Sequence, residues 1–200
     1  MGPLLAGVSF YPLTPPRWGD LETLFGEHGA YSGCWCMWWR LTSAQFSSQT
    51  GLQKKRALKA IVDSGEVPGI LAYSQGRPAG WCSLGSRGQF GRIERSPVLR
   101  RADDEAVWSI VCYYVDKRFR RQGLMQLLTV AAIDYAKTRG AGIVEAYPSE
   151  REGPFKGTAA YTGVSSVFRG LGFVEVLRRT PRAPILRYYL DTGSKPVTGK

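Results

Sequence analysis

The clearest periodic signal begins at Leu124, where Leu124, Leu127, Leu128, Ala131 and Tyr135 recur at i, i+3, i+4, i+7 and i+11. That spacing lays apolar side chains along one face of a helix, and Gly140 offers a residue to end it. On either side the period changes. Ala106–Val115 is β-branched and aromatic and predicts a central strand, while Gly142–Tyr147 predicts a short one. Strand, helix and strand in that order need a crossover, so the two strands should lie parallel. Upstream, Gly69–Ser74 and Ala79–Gly85 read as strands of a hairpin turned at Gln75-Gly76-Arg77-Pro78. Downstream, Thr158–Leu171 reads as a helix stopped by Gly172, followed by strands over Phe173–Leu177 and Ile185–Leu190.

The first third is less regular. Tyr11–Trp18 holds Pro12, Pro15 and Pro16 and reads as an ordered extended arm. Asp20 is placed to cap a short helix containing Leu21, Leu24 and Phe25 that stops near Gly29. Gly51–Ser64 carries Leu52, Leu58 and Ile61 at helical spacing. Together the elements predict an α/β (α+β) fold: a mixed, mostly antiparallel sheet with a central parallel strand pair, flanked by helices. One domain over residues 1–190 is expected, with a loose polar tail over 191–200.

The chain has 200 residues, 44% of them hydrophobic and 12% aromatic, enough for a packed core. No apolar run approaches the roughly 18–20 residues that span a bilayer, and Met1–Phe10 lacks a basic start and contains Pro3, unlike a signal peptide. Ala6 stands where a myristoylation signal after Gly2 wants Ser or Thr. Cys34, Cys36, Cys82 and Cys112 form no C-x-x-C pair, and His28 is the one histidine. No metal site is expected, and the cysteines read as reduced thiols of a cytoplasmic protein. The net charge of +11 points to an anionic partner without choosing among phosphate, nucleic acid and acidic surfaces.

The segment from Val115 to Gln126 narrows that choice. Lys117, Arg118, Arg120 and Arg121 precede Gly123, which lies between the predicted strand and helix. A helix start offers unpaired amide donors and about half a positive charge, and glycine lets a ligand approach the backbone. The residues fit a pyrophosphate cradle, with a solvated basic turn as the alternative. They fit neither a Walker loop nor a dinucleotide fingerprint.

The same residues resemble the signature of the GNAT superfamily of acyl-CoA-dependent N-acetyltransferases, Arg/Gln-x-x-Gly-x-Gly/Ala after a strand ending in Val. Val115 ends the strand, Arg120 takes the first motif position and Gly123 the glycine, while Met125 departs from the usual Gly or Ala and its side chain must point away from the phosphates. Phe168-Arg169-Gly170-Leu171-Gly172-Phe173 resembles the family's Tyr-x-x-x-Gly-Phe ending. The resemblance runs through about residues 69–190 and only loosely through the first 68. It implies a GNAT-like N-acetyltransferase fold, acetyl-CoA as co-substrate and direct transfer to a primary amine of a small molecule or peptide. Tyr113, Tyr114 and Val115 would pair with the pantetheine arm. Amides of Arg121, Gln122, Gly123, Leu124, Met125 and Gln126 would take the pyrophosphate, with Arg120 and Arg121 near the 3′-phosphate.

Catalytic groups follow less directly. Family members often use the motif tyrosine as acid toward the leaving thiolate, but Phe168 stands there, so Tyr161 and Tyr147 are the candidates nearest in sequence. Glu145 lies in the apolar strand Ile143–Tyr147, where an unpaired carboxylate is costly, and is either a general base with a raised pKa or half of a salt bridge to an arginine. The run Cys34–Arg40 reads as core, but by the resemblance Trp35, Cys36, Trp38 and Trp39 could wall an acceptor pocket. Two other readings remain beside the enzyme: an acyl-CoA-binding module without catalysis, motivated by Phe168 and Met125, and a basic nucleic-acid- or ribosome-associated protein. Dispersed arginines and the absence of an aromatic RNA-binding run argue against the latter. The acceptor is not named by the sequence, and a homodimer is left open.

Overall fold

A computed structural model of the chain describes residues 7–150 and 160–190. Its seven strands form one mixed sheet in the order β1-β2-β3-β4-β5-β7-β6. These are β1 (Val8–Pro12), β2 (Gly69–Ser74), β3 (Arg77–Ser86), β4 (Trp108–Val115), β5 (Ile143–Ala146), β6 (Val174–Arg178) and β7 (Pro184–Tyr189). Neighbours run antiparallel except β4 and β5, the parallel pair the crossover requires. The helices are α1 (Trp18–Phe25), α2 (Ser43–Ser48), α3 (Gly51–Asp63), α4 (Gly91–Glu94), α5 (Leu124–Thr138) and α6 (Ser165–Gly170).

The two faces of the sheet bury different cores. Leu71, Trp81 and Val111 meet Leu21, Phe25, Leu58 and the tryptophan-rich segment after α1. Ile70, Cys82, Ile110 and Val144 meet Leu124, Leu128, Ala132 and Ala136 of α5, together with Phe168. Alternation along each strand divides these side chains between the faces. At β4 the alternation breaks. Ile110 pairs with Leu84 and Cys112 with Ser83, so Val111 is an extra residue. Val111 and Cys112 both join the α1 side, while Ile110 and Tyr113 join the α5 side. An extra residue of this kind bends its strand. The bend coincides with the end of the β4–β5 pairing, which covers only Trp108–Ile110 on β4. The far half of β4 is left with an open edge.

Several expectations need correction. The arm expected over Tyr11–Trp18 is extended only at its start: Tyr11 and Pro12 end the edge strand β1, which tolerates Pro12 because one side needs no ladder donor, while Pro15–Arg17 form a 3-10 turn and Trp18 opens α1. Asp20 caps nothing; α1 starts at Trp18, and the Asp20 carboxylate accepts the Tyr73 hydroxyl at 2.6 Å. In α3 the inward stripe is Lys54, Leu58 and Val62, while Leu52 is exposed. Lys54 is tolerated inside because its ammonium sits 3.9 Å from the Phe46 ring centroid. The helix expected over Thr158–Leu171 is the shorter α6, with residues 158 and 159 outside the described ones. The expected tail, 191–200, and the leader residues Gly2, Pro3 and Ala6 also lie outside them. The short helices α2 and α4 were not anticipated.

Candidate active site

The loop from β4 to α5 keeps its amides open. Asp116 fixes its start by accepting the Arg118 backbone N–H at 2.8 Å and the Arg118 guanidinium, and Arg118 and Lys117 in turn hold its carboxyl below the usual carboxylate range. Arg121 (φ 62°) and Gly123 (φ 78°) both adopt left-handed backbone, which glycine enters freely and arginine does not. Successive turns of this kind aim N–H groups into a concavity that suits an anion. Among the described residues, no hydrogen bond is made by the backbone N–H groups of Arg121, Gln122, Gly123, Leu124, Met125 or Gln126. Arg120 turns back to donate Nε to the Val115 carbonyl at 3.0 Å, and Gln122 donates to the Arg118 carbonyl. The Met125 side chain packs beside Gly163, in the core under α5, away from the open amides.

The open edge of β4 is partly committed. The Asp116 N–H donates to the Ala79 carbonyl on the β3 side, so by alternation Tyr114 faces β3, and Tyr113 and Val115 aim their backbone groups away from it. The Tyr113 N–H already donates to the Tyr161 carbonyl at 2.6 Å. Of the three β4 residues expected to bind an added arm, Tyr114 faces the wrong side, Tyr113 retains a carbonyl that accepts only the long 3.9 Å contact from the Cys112 thiol, and Val115 retains its N–H.

Behind this edge lies a buried ion-pair network. Glu145 has no exposed surface. One carboxylate oxygen accepts from Arg87 and Tyr147, the other from Arg187 Nε at 2.7 Å. Arg187 also grips Asp103 at 2.6 and 2.8 Å, and Arg87 reaches Glu94 and the Leu99 carbonyl. The Tyr147 hydroxyl meets Ser109 at 2.8 Å, and burial together with Glu145 pushes its pKa up. The geometry therefore corresponds to the salt-bridge alternative for Glu145: the carboxylate is fully buried and both its oxygens accept from the chain's own donors. The Tyr147 hydroxyl is similarly enclosed.

The Cys34–Arg40 run is neither strand nor helix. Trp35 and Cys36 sit at positive φ (43° and 54°), and this reversal sends neighbouring aromatics in different directions. Trp35 stacks on Trp18 in the core, and Cys36 lies 3.6 Å from the Cys112 sulfur, under the Trp81 N–H. The adjoining Cys112 thiol and burial hold the Cys36 thiol well above its ordinary pKa, so it stays neutral. The two later tryptophans behave otherwise. Trp38 and Trp39, with Tyr161, Arg92, Arg95, Thr42, Ser43, Ser96 and Leu99, line a cavity of about 410 Å³. The Tyr161 ring stacks on Trp39 at 6.3 Å, and burial pushes its phenol up to about 12. The Trp38 side chain approaches its hydroxyl and opposes part of that rise. Because the Tyr161 carbonyl holds the β4 edge, the cavity adjoins that edge. A broader groove of about 1020 Å³ between α1 and α3 touches Trp35 but no residue of β4, β5 or α5.

The structure thus lines one cavity with Tyr161, Trp38 and Trp39 and leaves Trp35, Cys36, Glu145 and Tyr147 out of that lining, although Trp35, Cys36 and Tyr147 share a buried core with Trp39. Sequence reasoning missed Arg92 and Arg95. Their i, i+3 spacing in Gly91-Arg92-Ile93-Glu94-Arg95 was the available signal. Among the described residues, no cluster of three or more His, Cys, Asp or Glu side chains could hold a metal ion, and no helix is long and apolar enough to cross a membrane.

Comparison with known proteins agrees with this architecture. The model of the acetyltransferase (GNAT) family matches residues 35–152. No curated protein sequence matches the chain. Among solved structures, a GNAT-family acetyltransferase from Streptococcus agalactiae is 12% identical with a TM-score of 0.56, covering 95% of this chain and 99% of that one. The PaiA N-acetyltransferase of Thermoplasma acidophilum, in complex with coenzyme A, is 10% identical with a TM-score of 0.52, covering 92% and 99%. The ribosomal-protein-alanine N-acetyltransferase of Brucella melitensis is 14% identical with a TM-score of 0.54, covering 91% and 99%.

Proposed function

This chain belongs to the GNAT acetyltransferase family, and on that premise we propose that it moves an acetyl group from acetyl-CoA to a primary amine held in the Trp38–Tyr161 cavity. The single observation that carries the reading is the row of unpaired amides from Arg121 to Gln126, at the end of a strand whose outer edge is open beside a cavity. These residues fit the co-substrate. The amides and the α5 dipole would bind its pyrophosphate, Arg121 and Lys117 would add positive potential, and the Tyr113 carbonyl and Val115 N–H would guide its amide-bearing arm. Bound acetyl-CoA supplies an activated acetyl thioester.

The chain's own residues then have distinct tasks. With its phenol near 12, Tyr161 keeps a proton on Oη at neutral pH and can give it to the departing sulfur. Among the described residues no carboxylate lines the cavity, so the amine proton is released to water. Trp39 and Tyr161, stacked on one another, wall the cavity beside Trp38, whose ring is already covered by the Arg92 guanidinium. A binding module without catalysis is the second reading. It is favoured by one observation: Phe168, where relatives often carry tyrosine, is fully buried between Tyr113 and Phe173.

Calorimetry with acetyl-CoA and thiol release across an amine panel separate the two. Binding with amine-dependent thiol release is expected. Binding without release on any amine favours the module, and absence of acetyl-CoA binding removes both.

A further inference from the structure

The cavity walls carry more information than the presence of an acceptor pocket. Arg92 and Arg95 enter the lining together, and among the described residues no carboxylate does. Elsewhere the inward arginines meet acids: Arg40 meets Glu66, Arg87 meets Glu94 and Glu145, and Arg187 meets Asp103 and Glu145. Among the described residues, neither Arg92 nor Arg95 has such a partner.

Arg92 is held rigidly nonetheless. Its guanidinium lies 3.8 Å from the Trp38 ring centroid, Nε donates to the Trp38 carbonyl at 2.6 Å, and Nη1 donates to Ser43 Oγ at 3.0 Å. The remaining nitrogen, Nη2, is buried and has no hydrogen-bond partner. A fixed guanidinium with one unused donor nitrogen is preorganised to bind an anion. Arg95 adds a second positive charge, and burial together with that neighbour lowers the Arg92 pKa. Two cations converging without an acid between them repel each other until a ligand neutralises them. The hydroxyls of Thr42, Ser43 and Ser96 supply further donors to an oxyanion.

We propose that the acceptor is an amine that also bears an anionic group, a phosphate or carboxylate, which Arg92 and Arg95 clamp while the aromatic walls turn the amino group toward the β4 edge. This inference rests on the acetyltransferase reading of the same cavity, and it specifies the class of substrate. The volume of about 410 Å³ suits a small molecule of this kind.

Binding can be read without turnover, because Trp38 and Trp39 line the cavity and their fluorescence reports its occupancy. O-phosphoethanolamine is compared with ethanolamine, and β-alanine with propylamine, first without acetyl-CoA and then in the thiol-release assay. At least one probe bearing the anionic group should bind 10-fold or more tighter than its counterpart without that group. The phosphate and carboxylate arms identify which anion is preferred. Arg95→Ala, an exposed position that leaves the Trp38 stack intact, should abolish most of that preference, and Arg92→Lys should weaken it while keeping the charge. Equal binding of both members of each pair, binding of neither, or an unchanged preference in Arg95→Ala overturns the proposal. Anion-selective quenching without thiol release would keep Arg92 and Arg95 as an anion clamp but defeat the transferase reading, and with it the assignment of the bound amine as an acceptor.

Discussion

Both oxygens of Glu145 are filled by donors from its own chain, so its expected contribution is to stability rather than to proton transfer. Replacing it with Gln leaves Arg87 and Arg187 short of one buried counter-charge. The loss should be about 3 kcal/mol, toward the lower end of what breaking a buried pair costs, because Glu94 and Asp103 remain. Denaturant unfolding measures that loss. The pH profile of kcat/KM between about pH 6 and about pH 9 should not change in the folded variant; loss of its rising limb would restore Glu145 as a base. Tyr161 is the opposite case. Its phenol is held near 12, so it stays protonated throughout the working range, and kcat/KM should climb as the amine loses its proton without falling again before about pH 11. Tyr161→Phe should lower kcat roughly 100-fold at every pH. A variant with full kcat would show that the proton comes from elsewhere.

At the scale of elements, the junction of β4 and α5 is the part most sensitive to backbone change. Gly123 precedes α5 at φ 78°, a conformation that costs an L-residue about 1–2 kcal/mol. Gly123→Val should relieve that cost by turning the loop, which redirects the amides from Arg121 to Gln126. Calorimetry should show acetyl-CoA affinity falling about 10-fold or more, with α5 itself intact by circular dichroism. This junction was legible in the sequence because its signals are local: a β-branched run, one glycine and a long 3.6-residue period. The β2–β3 hairpin and the parallel pair were legible for the same reason. The Val111 bulge was not, since nothing in Ile110-Val111-Cys112 marks one of two apolar neighbours as the extra residue. Nor was the path of Cys34–Arg40, where left-handed Trp35 and Cys36 contradict residue preference and are imposed by packing against Trp18, Trp81 and Cys112. Glu145 could be flagged from its apolar strand, but its partner Arg87 lies 58 residues away and only the fold unites them.

Over the whole molecule, the excess of +11 conceals a set of acids whose charged forms the fold favours. Arg178 and Arg169 draw the Glu175 carboxyl down to about 2, and Arg178 lowers Glu150. Arg187 lowers Asp103, Arg118 lowers Asp116 and Lys55 lowers Glu22. For each of these groups the folded pKa lies below the unfolded one. The stabilisation they give is complete above the unfolded carboxylate pKa of roughly 4 and disappears as pH falls through the folded values. Tm should therefore be flat from about pH 7 to about pH 6, begin to fall below about pH 5 and continue falling toward about pH 2. Protonation also raises an already large positive charge, so self-repulsion acts in the same direction. Most of these carboxylates are at least partly exposed, and added salt should flatten the acid limb by screening both effects. Arg178→Ala, which leaves Glu175 and Glu150 with Arg169 alone, should lower Tm at pH 7 and leave a shallower fall on acidification than the parent shows. A parallel shift of the whole profile would assign Arg178 a packing role and place the acid sensitivity in the remaining pairs.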